Sequence, residues 1–306
     1  ISYRLVGSEM CIRDRAPVCE ASAALAMPDG TVIIGDNEVK DALFSFSDTG
    51  TLTGQTVLPF AEKKSERIED IEALTGLTGG GVLMVGSHSR NKSCELQKER
   101  RRLGLGDQRV KTNDEEWAEM TASAEACRET MFGGAAGEDV GLLCEAIVAA
   151  ENAAGCAETL NIEGAVTDAE ERVWLGLRAP VVAERGAAMV RLSEDFLDQG
   201  ALSLDAVAWV TLPEQQAIRE LHRDGEFLMG IAGTVVDSSG DMTLWRTPMA
   251  KLAPGARLSV EKVSALPPSS EGLTRLGGTL LVVTDGDEGD GPTCAEPAGQ
   301  LRVAAP

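Results

Sequence analysis

Residues 163–177 read Glu163-Gly-Ala-Val-Thr-Asp-Ala-Glu-Glu-Arg-Val-Trp-Leu-Gly-Leu177. The pattern is a Glu, a small and apolar run, a polar turn and a second β-rich run. Two short apolar runs around such a turn predict two antiparallel β-strands.

The same pattern occurs five times along the chain. The other copies begin at Glu20, Glu72, Arg219 and Glu271, so the starts are 52, 91, 56 and 52 residues apart. A third strand is predicted in four of the repeats, at Phe44–Phe46, Met189–Leu192, Met242–Trp245 and Leu301–Val303. A period of about 50 residues built from short strands is typical of β-propeller blades.

The one long interval contains a helical insertion at residues 114–157. Two apolar series at helical spacing, Trp117 to Met131 and Val140 to Val148, flank the glycine-rich segment 133–137 and predict two helices. We therefore expect an all-β protein, a β-propeller of five blades with six possible, carrying an inserted helical hairpin. A β-sandwich with chance similarity among its strands is the alternative.

The chain divides into residues 1–15 and a propeller domain at 16–306. Val6-Gly-Ser-Glu-Met-Cys-Ile-Arg-Asp-Arg15 resembles a translated sequencing adapter, so we expect the first segment not to be natural protein. A native signal peptide would then be missing from this fragment.

Composition limits the partners. The net charge is −21, which repels nucleic acid and anionic membrane surfaces. No apolar run approaches the roughly 20 residues of a membrane helix. We expect a monomer whose partner is a small molecule or a protein.

The six cysteines after residue 15 include no zinc-binding Cys-x-x-Cys pair. Disulfides, and hence a periplasmic or secreted location, are one interpretation. The expected pairs are Cys19–Cys294, Cys127–Cys144 and Cys94–Cys156. Free thiols in a cytoplasmic protein are the alternative.

Several segments resemble the bacterial family known as domain of unknown function 3616. They are Glu20-Ala-Ser22, Gly86-Ser-His-Ser-Arg-Asn-Lys92, Leu160-Asn-Ile-Glu-Gly164, Trp174-Leu-Gly-Leu-Arg-Ala-Pro180 and Pro268-Ser-Ser-Glu-Gly-Leu273. The resemblance implies a propeller-like fold and no established activity. More distantly, the chain resembles phytase-related esterase-like propellers and metal-dependent lactonases, an analogy at the level of fold.

A residue repeated at the start of each innermost strand converges on the propeller axis. Four carboxylates facing Arg219 there need a cation, hydrogen bonds or raised pKa values. The metal hypothesis is Ca²⁺ before Mg²⁺, and the alternative is a structural role in which each Glu joins neighbouring blades. The candidate ligands are Glu20, Glu72, Glu163, Glu271, Asp36 and Asp285.

Polar residues also follow the second strand of the repeats. His88 is the candidate general base, with Arg90 or Arg178 as an anion clamp, and a hydrogen-bonded loop is the alternative. Two functions follow: a propeller that binds a small ligand or partner at its central channel, or a metal-dependent hydrolase of a phosphoester or lactone. Apart from Ca²⁺, no cofactor is expected.

Overall fold

The computed structural model describes residues 18–37, 39, 42–58, 67–91, 93–106, 108–110, 114–153, 159–196, 202–213, 216–235, 240–286 and 299–304. Side chains are not described at 108–110, 114–116 and 299–304. The adapter-like segment 1–15 lies outside these ranges, as do Cys156 and Cys294.

The described strands form five sheets, each beginning with one strand–turn–strand repeat. The first sheet contains β1 (Ala21–Ala26), β2 (Val32–Asp36), β3 (Ala42–Phe46) and β4 (Leu52–Val57). The second contains β5 (Ile71–Gly76), β6 (Val82–Gly86), β7 (Leu103–Leu105) and β8 (Gln108–Val110). The third contains β9 (Asn161–Thr167), β10 (Val173–Val182), β11 (Gly186–Leu192) and β12 (Leu204–Thr211), with β16 (Arg257–Ser259) parallel to β12.

The last two sheets are built in the same way. The fourth contains β13 (Gln216–Asp224), β14 (Phe227–Thr234), β15 (Met242–Pro248) and β17 (Glu261–Leu266). The fifth contains β18 (Ser270–Leu276), β19 (Thr279–Thr284) and β20 (Gly299–Ala304). Neighbouring strands are antiparallel apart from the pair β12 and β16.

The first strands of the sheets form a closed ring. Strand β1 contacts β5, β5 contacts β9, β9 contacts β13, β13 contacts β18, and β18 returns to β1. Five innermost strands around one axis are the arrangement of a propeller, whose sheets bury their faces against neighbouring sheets. The all-β propeller prediction is confirmed, and the sandwich alternative is wrong.

Each innermost strand carries a β-bulge near its start. The pairing register shifts at Ser22, Glu72, Glu163, Arg219 and Glu271. A bulge adds an unpaired residue to one strand and redirects its side chain. The repeated position therefore coincides with a local change of backbone geometry in every sheet.

In the third and fifth sheets the residue after the bulge lies very close to the backbone of a neighbouring innermost strand. A Cβ on Gly164 would lie 3.0 Å from the backbone N of Leu221 on β13, and one on Gly272 would lie 2.8 Å from that of Ala24 on β1. Ala23 and Ala73 occupy the corresponding places in the first two sheets. At Gly164 and Gly272 a Cβ atom would meet backbone atoms, which cannot move aside, whereas the fourth sheet has Glu220 at this position.

The insertion consists of three helices, α1 (Asp114–Met120), α2 (Ala124–Phe132) and α3 (Glu138–Glu151), where the sequence predicted two. The Ser123 hydroxyl accepts a hydrogen bond from the backbone N–H of Ala126, which starts a new helix at residue 124. Gly133 ends α2 with φ of 55°. Helices α2 and α3 pack on the third sheet, and the indole of Trp209 donates a hydrogen bond to Asp139 at 2.8 Å.

The predicted disulfide between Cys127 and Cys144 joins α2 to α3 and is confirmed. Cys19 and Cys94 are also disulfide-bonded; their predicted partners lie outside the described residues. In the ranges given above, no helix has the length and apolar character needed to cross a bilayer.

Candidate functional site

The bulged residues form a charged group at one end of the propeller axis. They are Ser22, Glu72, Glu163, Arg219 and Glu271, which we call the axial ring. Glu20, predicted to belong here, is two residues away from the equivalent position. Its carbonyl accepts a hydrogen bond from Asn37, as the Asp70 carbonyl does from Ser87, so Glu20 corresponds to Asp70.

Arg219 holds two members of the axial ring. Its Nε atom lies 2.8 Å from Oε2 of Glu163, and its Nη2 atom donates a hydrogen bond to Glu271. Arg178 donates a further hydrogen bond from Nη1 to Glu163 Oε1 at 2.6 Å, and one from Nε to the Val235 carbonyl at 2.7 Å. Two guanidinium groups therefore neutralise the carboxylates of Glu163 and Glu271.

Glu72 has no such cation in direct contact among the described residues. Its Oε1 atom accepts a hydrogen bond from Asn37 at 3.1 Å. Burial raises the pKa of Glu72 well above its usual range, and the charges of Asp70, Glu163 and Glu271 act in the same direction. This carboxyl group is therefore protonated far more readily than a carboxyl group in water.

Glu220 is a buried carboxyl group that sequence reasoning missed. It follows Arg219 and occupies the position held by Ala23, Ala73, Gly164 and Gly272 in the other sheets. Only 1% of the residue is exposed; its Oε1 accepts the Leu221 N–H at 2.7 Å, and its Oε2 has no described hydrogen-bond partner. Burial raises its pKa well above the usual range. The sequence signal that could have revealed it is a Glu at a repeat position where the other four repeats have Ala or Gly.

The other two predicted metal ligands, Asp36 and Asp285, lie outside the axial ring. Asp36 accepts backbone N–H hydrogen bonds from Cys19 at 2.8 Å, Glu20 at 3.2 Å and Val39 at 3.0 Å, and so holds the chain around β2. Asp285 is half-buried, and its burial, followed by the charge of Glu271, raises its pKa to about 7.

The axial ring does not offer a metal ion a set of ligands. Within the described ranges, no three His, Cys, Asp or Glu side chains are grouped so that they could hold one. Oxygen atoms of Glu163 and Glu271 that Ca²⁺ would need are in contact with guanidinium groups. The residues therefore do not fit a calcium site while Arg219 and Arg178 contact these carboxylates.

The three predicted catalytic residues are not brought together as a reactive group. His88 is 1% exposed, its Nδ1 atom hydrogen-bonds the Gly86 carbonyl at 2.8 Å, and burial lowers its pKa to about 4. Its ring lies 6.2 Å from that of Trp117 in α1, centroid to centroid. Arg90 instead pairs with Glu151 of α3 at 3.0 Å, so the Ser87–Arg90 segment holds the insertion against the second sheet.

The opposite end of the axis contains a pocket of about 370 Å³. All five innermost strands contribute to its wall through their C-terminal parts. Representative lining residues are Leu25, Thr75, Thr167, His222 and Leu273. Because the same end of each strand lines the pocket, we call it the axial pocket.

Polar atoms in the axial pocket are held in place. The Thr167 hydroxyl donates a hydrogen bond to the Gly76 carbonyl at 2.8 Å and lies 3.1 Å from the Thr75 hydroxyl. Burial lowers the pKa of His222 to about 4, so its imidazole is neutral at pH 7. The Nε2 atom of His222 is buried and has no described hydrogen-bond partner.

A second cavity of about 240 Å³ adjoins the axial pocket between the second and third sheets. Leu77, Thr78 and Glu171 line both cavities. The lining of this second cavity, which we call the radial groove, includes Leu192 and Phe196. The two cavities therefore lie side by side, from the axis outward.

The ring of sheets and the axial pocket define this chain as a β-propeller. A family model described as "Protein of unknown function (DUF3616)" matches residues 145–274, which confirms the resemblance seen in the sequence. That description assigns the family no function. No curated protein matches the sequence.

Solved structures with a similar fold have low sequence identity. RS223-Beta-xylosidase is 12% identical with a TM-score of 0.48, and the match covers 99% of this chain and 94% of that one. The GH43_1 enzyme from Xanthomonas citri is 10% identical, also with a TM-score of 0.48, over 98% of this chain and 90% of that one. A protein of unknown function from Bacteroides caccae is 10% identical with a TM-score of 0.33 over 83% of this chain, which spans only 65% of that protein. Such likenesses concern the fold alone.

Proposed function

We propose that this protein is a five-bladed propeller that binds a small ligand in the axial pocket. The observation that carries the proposal is the cavity of about 370 Å³ to which all five innermost strands contribute. Its volume lies within the range of about 300–1,000 Å³ for small-molecule sites. The closed ring of contacts from β1 to β18 supports the blade number.

The wall of the pocket favours an amphipathic ligand. Leu25, Leu74 and Leu273 offer apolar surface, and the Thr75 hydroxyl and the His222 imidazole offer hydrogen bonds. A neutral imidazole donates through one ring nitrogen and accepts through the other. A buried Nε2 without a partner would gain a hydrogen bond when a polar ligand group enters.

The hydrolase alternative has less support. His88, its predicted base, is buried, and the guanidinium groups of Arg90 and Arg178 are paired with Glu151 and Glu163. A periplasmic or secreted location accords with the Cys127–Cys144 disulfide, because such bonds persist in oxidising compartments.

The test is to obstruct the pocket without disturbing the core. Ala169 lines the pocket and is exposed, so Ala169→Trp should fill its mouth and leave the fold intact. The matched control is Glu170→Trp, at the exposed neighbouring residue that does not line the pocket. A fragment library is screened by ligand-observed NMR, and calorimetry measures each hit on the three proteins. We expect Ala169→Trp to abolish binding that the control retains. Equal binding by both variants, or no hits, would overturn the proposal.

A further inference from the structure

Glu171 has a left-handed backbone conformation at a turn position where the equivalent turns have glycine. The turns before β2, β6 and β10 share one hydrogen-bond pattern, in which the third turn residue donates its N–H to the carbonyl three positions earlier. That donor is Gly30 with φ of 87° in the first sheet and Gly80 with φ of 87° in the second. In the third sheet it is Glu171, with φ of 65°.

A side chain at this position has a cost that glycine avoids. In the left-handed region the Cβ atom approaches the backbone too closely, and Glu is not among the residues that relieve this with a local hydrogen bond. Strained residues persist where the surrounding structure holds them, and they are concentrated at functional sites. The Glu171 side chain therefore invites a functional explanation.

The position of the Glu171 side chain suggests a role in ligand binding. The residue is exposed and lines both the axial pocket and the radial groove. Within the described residues, the Glu171 carboxylate takes part in no hydrogen bond or ion pair. The backbone N–H of Glu171 donates a hydrogen bond to the Asp168 carbonyl. By contrast, Arg172 next to it already pairs with Glu194 and Asp205. A negative charge without a described partner thus stands between two partly apolar cavities.

We propose that Glu171 binds a cationic group of an elongated, amphipathic ligand that extends from the axial pocket into the radial groove. The inference rests on the proposed function and adds the charge and shape of the ligand. Leu77, which lines both cavities, and Phe196 in the groove would contact its apolar part. The net charge of −21 favours the approach of a cation.

The experiment compares three probes of equal chain length: hexylammonium, hexanol and hexanoate. Calorimetry gives their affinities for the full chain, Glu171→Gln and the control Glu170→Gln, an exposed acid that lines neither cavity. We expect hexylammonium to bind most tightly, and Glu171→Gln to weaken it about tenfold, as for a hydrogen bond to a charged group. Hexanol binding should not change, and Glu170→Gln should behave as the wild type.

A second variant separates recognition from folding. Glu171→Gly relieves the left-handed strain, so it should unfold at a higher temperature than the wild type and still lose hexylammonium binding. If Glu171→Gln binds hexylammonium as the wild type does, or if Glu171→Gly is less stable, the inference is wrong. In that case the proposed function would still be supported if hexanol binds the wild type and Ala169→Trp blocks that binding. If no probe and no library fragment binds, the proposed function itself fails.

Discussion

The Nε atom of Arg219 lies 2.8 Å from Oε2 of Glu163, and both side chains are 3% exposed. Neither atom has a described hydrogen-bond partner, so the contact is described as an ion pair. Arg219 also contacts Glu271, which places one cation between the carboxylates of the third and fifth sheets. A buried charge of this kind is costly to leave alone.

Arg219→Ala should lower the free energy of unfolding by about 3 kcal/mol, because two buried carboxylates lose their shared cation. The control is Glu261→Ala, which breaks the ion pair with Arg246 at a side chain that is 62% exposed. That change should cost less than about 1 kcal/mol. Urea unfolding measures both. Equal losses would show that the axial ring does not depend on Arg219.

Calcium provides a separate test of the axial ring. Because Arg219 contacts Glu163 and Glu271, we expect calcium and EDTA to leave the unfolding temperature of the wild type unchanged. In Arg219→Ala the freed carboxylates could bind Ca²⁺, so calcium should raise its unfolding temperature. Thermal scans of both proteins decide the matter. A wild type stabilised by calcium would restore the metal hypothesis drawn from the sequence.

Glu220 should make stability depend on pH. Its folded pKa is raised above the usual 4.5, so the folded state binds the proton more tightly than the unfolded chain does. Its contribution is therefore complete below pH 4.5 and is lost as pH rises through the folded pKa. Between the unfolded and the folded pKa, each rise of one pH unit should lower the free energy of unfolding by about 1.4 kcal/mol.

The isosteric Glu220→Gln cannot lose a proton. Compared with the wild type, it should gain stability as pH rises above 4.5 towards the raised pKa of Glu220 in the folded state. Urea unfolding at several pH values measures the difference. The control is Glu261→Gln, because the Glu261 side chain is 62% exposed. Its free energy of unfolding should differ from that of the wild type by the same amount at every pH. Parallel pH profiles for wild type and Glu220→Gln would show that Glu220 is ionised in the folded state.

Gly272→Ala should destabilise the ring of innermost strands. The new Cβ would lie 2.5 Å from Val283 Cγ2 and 2.8 Å from the Ala24 backbone N. Overpacking of this kind costs about 1–3 kcal/mol. Gly278→Ala is the control, since a Cβ there meets nothing within 4 Å. If the two variants unfold at the same temperature, β18 and β1 can move apart to accommodate the new Cβ atom.

Local sequence predicted the repeated units well because each strand–turn–strand unit has its own apolar runs and turn residues. The predicted third strands at Phe44–Phe46, Met189–Leu192, Met242–Trp245 and Leu301–Val303 lie in or overlap β3, β11, β15 and β20. The sequence aligned Glu20 with Glu72, but the structure places Ser22 at the position equivalent to Glu72, and Glu20 lies two residues earlier. Spacing along the chain did not reveal this offset, because the register is set by pairing with the neighbouring strand.

The sequence by itself determined the propeller, the place of the insertion and four members of the axial ring, since periodicity and residue type act locally. Tertiary structure alone decided that Arg219 and Arg178 share Glu163, that His88 is buried, and that the pocket lies at the far end of the axis. These relationships join residues from different sheets, and their distances depend on how the ring closes. Burial then sets the pKa values, because desolvation depends on the whole surroundings of a group.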